Sequence, residues 1–99
     1  MIAVLFEVTL KSSHKEQYFN IAASLKANLS EVEGFISVER FQSLTDTNKY
    51  LSLSFWQDEL AIQNWKQNES HKLAQEIGQK AIFDHYRIRV GQIIRDYNN

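Results

Sequence analysis

Apolar and polar residues alternate in two rhythms along this chain, a period near two and a period near three and a half. The switches between them mark out its elements. Ile2-Ala3-Val4-Leu5-Phe6-Glu7-Val8-Thr9-Leu10 is rich in β-branched and aromatic residues and too short for a typical helix, so it predicts a first strand. Ser13-His14-Lys15-Glu16 has the form of a capping box, and Tyr18, Ile21, Ala22, Leu25 and Leu29 follow at helical spacing. Glu33-Gly34 ends that helix. Phe35 to Leu44 reads as a second strand with a mixed pattern that admits a bulge. Thr45 to Asn48 supplies turn residues, and Tyr50 to Trp56 forms a third strand. In that strand Leu51, Leu53 and Phe55 alternate with Ser52 and Ser54, giving one apolar face and one small polar face.

Asp58 is placed to cap a short helix carrying Ala61, Ile62 and Trp65, and Asn68 or Ser70 to cap another carrying Leu73, Ala74, Ile77 and Ala81. Gly78 weakens this last helix without forbidding it. A final strand is expected from about Phe83 to Tyr97, with a bulge or bend at Gly91-Gln92. Strand, helix, strand, strand, helix pair, strand is the order of an α+β, ferredoxin-like βαββαβ domain with an antiparallel sheet. Helices cover only one side of such a sheet. The first strand is nonetheless apolar at consecutive positions, and Tyr86-Arg87-Ile88-Arg89-Val90 carries bulky groups on both faces. Apolar surface contributes roughly 25 cal/mol per Å² when removed from water, so a second copy is expected to cover the open side as a homodimer.

Composition narrows the function. A chain of 99 residues forms one domain, 1–99, with a core that association would help. Eleven basic and twelve acidic residues leave a net charge of −1 with neither sign blocked together. That argues against a nucleic-acid partner, and no RNP segment supports an RNA-binding sheet of similar topology. With no cysteine there is no disulfide framework or thiolate site, and the three glycines are not clustered into a phosphate loop. The N-terminal run is broken by Glu7 and lacks a basic leader, so it reads as a strand and not a signal or membrane span; a cytoplasmic location is expected. His14, His71 and His85 lack metal-ligand spacing, and no metal site is expected.

The segments Gly34-Phe35-Ile36-Ser37-Val38-Glu39-Arg40-Phe41 and Lys49-Tyr50-Leu51-Ser52-Leu53-Ser54-Phe55-Trp56 resemble the central hairpin of antibiotic biosynthesis monooxygenase (ABM) domains. Trp65, with His71 six residues on, resembles their helical part. Phe83 to Val90 resembles their closing strand. The resemblance runs over nearly the whole chain. It implies a dimeric α/β barrel, with a pocket in each protomer between sheet and helices. Family members include oxygenases that oxidise phenols, quinols or anthrones with dioxygen and neither metal nor flavin, and relatives that degrade haem. The haem-degrading pattern places an asparagine on the first strand and a histidine one turn beyond His71. Phe6 or Glu7 and Gln75 occupy those positions here, and glutamine is a poor iron ligand.

An oxygenase of this kind needs an apolar pocket and a base that removes a phenolic or acidic carbon-bound proton. His71 is the expected base, because an imidazole titrates near working pH. On a helix it shares a face with Ala74, Gln75 and Gly78, which leave space beside the ring. Otherwise it is a solvated residue of a helical first turn. Trp65, Gln75, Phe55, Phe83, Tyr86 and Glu7 are the candidate substrate contacts, each with ordinary packing or pairing as its structural alternative. Arg40, Arg87 and Arg89 read as partners of Glu39 or Glu7 at the sheet edge or dimer seam, with an anion clamp as the functional option. The competing reading of the whole chain is a non-catalytic dimeric module that binds a small ligand or accompanies another enzyme.

Overall fold

The structure, a computed structural model, describes residues 1–66 and 83–99, apart from the side chains of Leu25, Phe83 and Asp84. Strand β1 spans Ile2–Leu10, helix α1 Lys15–Leu29, β2 Phe35–Gln42, β3 Lys49–Trp56, α2 Glu59–Lys66 and β4 Phe83–Gln92. The sheet order is β2-β3-β1-β4, with every neighbouring pair antiparallel. β1 and β2 are therefore parallel, with β3 inserted between them. This is the split βαβ of the ferredoxin-like class, as the order of elements predicts. The expected helix over Leu73 to Ala81 lies outside the described residues.

Local chemistry explains the boundaries. The expected capping box does not form. Ser13 sits in a 3₁₀ turn, Ser12–His14, with its hydroxyl 3.2 Å from His14 Nδ1, and α1 starts at Lys15. Lys15 Nζ then donates to Thr47 O at 3.1 Å, tying the helix start to the β2–β3 turn. That turn ends β2 at Gln42, two residues short of the expected Leu44. The Ser43 hydroxyl accepts from the amides of Thr45 and Asp46, and Asp46 Oδ1 accepts from Asn48 N at 3.0 Å. The β2 bulge is real and falls between Phe35 and Ser37. Asp58 caps α2 as expected, its Oδ1 accepting from Ala61 N at 3.0 Å.

β4 is shorter than expected. It ends at Gln92, which pairs with Ile2, and one further bond runs from Ile93 N to Met1 O at 2.9 Å. Its irregularity lies between Thr9↔His85 and Leu10↔Phe83, and not at Gly91, which pairs regularly with Ala3. Gly34 is required where it stands. Its φ is +91°, and a Cβ there would lie 2.6 Å from Ala61 Cβ, so the β2 entry can approach α2 only without a side chain.

Both described helices pack on one side of the sheet, over two separate buried clusters. Val4, Leu29, Trp56, Ala61 and Ile62 form the first, flanked by Ile2, Phe35, Val38 and Trp65. Val8, Leu10, Tyr18 and Tyr50 form the second, flanked by Phe6 and Ile21. The other side of the sheet carries Ala3, Leu5, Glu7 and Thr9 of β1 and Lys49, Leu51, Leu53 and Phe55 of β3, and none of them joins either cluster. No helix among the described residues is long and apolar enough to cross a membrane.

Candidate active site

Register sorts the helix-facing side chains into rows that cross the sheet. Phe35, Trp56, Ile2 and Gln92 make one row; Val38, Ser54, Val4 and Val90 the next; Arg40, Ser52, Phe6 and Ile88 the third; Gln42, Tyr50, Val8 and Tyr86 the fourth. The outer rows hold the bulky anchors. Trp56 is fully buried, with ring centroids 5.3 Å from both Phe35 and Trp65. At the other end Tyr50 packs edge-on to Phe19 and tilted on Tyr18. Between them, on the central strand β3, stand only Ser52 and Ser54. A small domain ordinarily builds one contiguous core. Here two hydroxymethyl side chains stand on β3 between the two clusters.

Ser54 is committed, since its buried Oγ accepts from Trp56 Nε1 at 3.0 Å and satisfies the indole donor. Ser52 is flanked in its row by Phe6 and Arg40. The β4 side of these rows is apolar and exposed: Tyr86, Ile88 and Val90 keep 39%, 43% and 48% of their surface, and the Tyr86 ring sits edge-on to Phe6 at 6.1 Å. A depression of 480 Å³ opens at the end of these rows, between Met1-Ile2, Gln57 to Glu59 and Val90 to Gln92.

A polar cluster closes the β2 side. Arg40 Nη2 donates to Ala22 O on α1 at 3.5 Å, and its Nε is buried with no hydrogen-bond partner among the described residues. Burial raises the pKa of the Tyr18 phenol above its ordinary 10.0, while the charge of Arg40 and a hydrogen bond from it pull the other way. Gln42 Nε2 donates to Tyr50 Oη at 3.2 Å.

The expected site residues divide between two surfaces. Trp65 and Tyr86 lie on the helix-facing side. Glu7 and Phe55 do not: they point to the opposite side, so the pocket expected within one protomer cannot include them. Glu7 instead accepts from Arg89 Nη1 at 3.2 Å, the pairing expected of a strand carboxylate. Arg40 departs from the expected edge pairing by turning inward beneath α1. His71 and Gln75 lie outside the described residues, and Phe83 is described only as backbone in β4. Among the described residues no three His, Asp or Glu side chains converge as a metal site would require. Ser52 and Tyr18 were not among the site residues expected from the sequence, and Arg40 was read there chiefly as a structural pairing residue with an anion clamp as the functional option. The alternation of serines in β3 was the available signal, once the side bearing the helices is known.

This sheet order, with both described helices on one side, defines a ferredoxin-like α+β domain. The sequence profile of the antibiotic biosynthesis monooxygenase family matches residues 1–77, and the chain belongs to that family. A Pyricularia oryzae protein named jasmonate monooxygenase ABM is 40% identical over 94% of this chain, which spans only 43% of that relative's length. Among solved structures, Rv0793 from Mycobacterium tuberculosis superposes with a TM-score of 0.87 at 7% identity, covering 98% of each chain. A crystal structure described as an antibiotic biosynthesis monooxygenase gives 0.84 at 10% identity, covering 96% of this chain and 100% of that one. At such identities these likenesses establish the fold alone.

Proposed function

We propose that this chain is a cofactor-independent monooxygenase domain that works as a homodimer and oxidises a small electron-rich aromatic with dioxygen. The observation that carries the reading is the pair Ser52 and Ser54, small polar side chains that stand on the helix-facing side of β3 between two clusters of bulky groups. The substrate ring lies over these serines, with Trp65 and Tyr86 as walls. His71 is the base, and Gln75 and Phe83 complete the lining. Glu7 and Phe55 belong to the dimer side of the sheet. A cytoplasmic location accords with a chain that carries no cysteine for an oxidising compartment to use.

The chemistry balances without an outside reductant. For an anthrone-like methylene, His71 removes a carbon-bound proton and the carbanion passes an electron to dioxygen. The two radicals join as a hydroperoxide, which loses water to leave a carbonyl: CH₂ plus O₂ gives C=O plus H₂O. Deprotonation raises the reducing power of the substrate, so the base controls the rate. Arg40, in the row of Ser52, supplies positive charge where the enolate oxygen gathers electron density.

Dioxygen uptake with a panel of phenols, quinols and anthrones tests this, with jasmonate added because the Pyricularia relative is named for it. Inserting one oxygen atom into an alkyl C–H bond consumes two further electrons, so jasmonate is assayed with and without a reductant. The expected result is uptake with at least one aromatic, lost in His71→Ala. No uptake with any substrate, or uptake indifferent to that substitution, would overturn the assignment. Thermal stabilisation by these compounds without uptake would mark a non-catalytic binding module.

A further inference from the structure

In the four helix-facing rows of the sheet, Arg40 is the only charged side chain. The acids of the surrounding elements are directed elsewhere. Glu39 and Glu7 fall on the opposite side, where Arg89 engages Glu7 at 3.2 Å. Glu16 on α1 and Glu59 on α2 are exposed. Arg40 is also short of hydrogen-bond partners. Its Nε is buried with none among the described residues, and Nη2 reaches Ala22 O only at 3.5 Å, the outer limit of a hydrogen bond. The Tyr18 phenol accepts from the guanidinium. Burial nevertheless holds that phenol above its ordinary 10.0, so it is no counter-ion near neutral pH. A guanidinium cannot escape by losing its proton, and buried charges are ordinarily paired. This one lacks its anion.

We infer that Arg40 recognises a carboxylate borne by the substrate, which makes the substrate class an aromatic acid and not a neutral phenol, quinol or anthrone. The inference rests on the position proposed above for the ring, over Ser52 in the row of Arg40. Phe6 and Ile88 continue that row as apolar neighbours, so acid and ring have separate places along it. An ionised phenol would also supply anionic oxygen. A phenol titrates near ~10 and arrives neutral, however, whereas a carboxylic acid titrates near ~4 and arrives ionised. Only the carboxylate compensates the guanidinium from the moment of binding. The geometry of the group agrees. Nε–H and the adjacent Nη lie on one planar edge, which takes two carboxylate oxygens through parallel bonds. The unpartnered Nε belongs to that edge. Where the acid stands beside a ring hydroxyl, the same charge also meets the oxygen that gains electron density in the reaction.

Gentisate, a quinol with a carboxylate beside one hydroxyl, and its methyl ester are the probes. In protein carrying isotope-labelled arginine, the Arg40 Nε–H resonance is assigned by its loss in Arg40→Lys. Gentisate is expected to shift that resonance saturably and to bind roughly tenfold or more tighter than the ester. Arg40→Gln is expected to abolish the preference. A resonance indifferent to gentisate, an ester that binds as tightly as the acid, or a preference that survives in Arg40→Gln would overturn the inference. The first two readings use the wild type and stand whether or not Arg40→Gln folds. Dioxygen uptake is measured separately. Gentisate bound at Arg40 without uptake supports the inference and counts against the monooxygenase. Uptake from neutral aromatics, with Arg40 indifferent to gentisate, spares the monooxygenase and overturns the inference.

Discussion

Adjacent residues of β3 face different worlds. Ser52 and Ser54 point at the helices, and Leu51, Leu53 and Phe55 point away from them. In an ordinary two-layer domain the assignment would be reversed, with leucines under the helices and serines in water. On the function proposed above, the helix side gives up packing at its centre so that a substrate ring can lie between the two flanking clusters. The open side keeps Leu51, Leu53 and Phe55 half-buried, the apolar groups that a second copy is proposed to cover.

The comparison breaks most severely where the helix side is anchored. Trp56→Ala removes a fully buried ring that touches both Phe35 and Trp65, and should cost about 3–5 kcal/mol by urea unfolding. Gly34→Ala acts where β2 enters beneath α2. The positive φ and the 2.6 Å approach to Ala61 Cβ predict a loss of about 2–4 kcal/mol in the same assay. Ser54→Ala leaves the indole N–H of Trp56 buried without an acceptor and should cost about 1–3 kcal/mol. Ser52→Leu sharpens the contrast. It puts an isobutyl group where the substrate ring is proposed to lie, so dioxygen uptake should vanish while the sedimenting mass stays that of the wild type.

The smallest effect concerns pH. The phenol of Tyr18 titrates above 10.0 when folded, chiefly because it is buried. Its contribution to stability is therefore complete below the unfolded pKa. It is lost as pH rises through the folded value, because the unfolded chain gives up that proton first. Unfolding free energy should fall above about pH 10, and Tyr18→Phe should flatten that part of the profile.

Much of the fold was legible in the sequence because it rests on local rules. The β-branched and aromatic run marked β1, alternation marked β3, and Asp58 announced α2. What escaped depends on distant partners. Ser13 has the right spacing for a cap, yet a 3₁₀ turn preceding α1 displaces it. β4 continues in sequence past Gln92, but its pairing with β1 stops at Ile2↔Gln92. The candidate site was legible only in halves. Period-two alternation separates Glu7 and Phe55 from Tyr86 once the pairing is known, and pairing is not a local property. Arg40 looked like an edge charge because nothing in its neighbourhood in the chain reports that α1 passes over it.

The account depends on the two sides of one sheet doing separate work, and sedimentation equilibrium of the wild type beside Leu53→Asp tests this most directly. A wild-type dimer, and a Leu53→Asp monomer with an unchanged far-ultraviolet circular dichroism spectrum, is the predicted result. A wild-type monomer at micromolar concentration, or a Leu53→Asp protein that still dimerises, would contradict it.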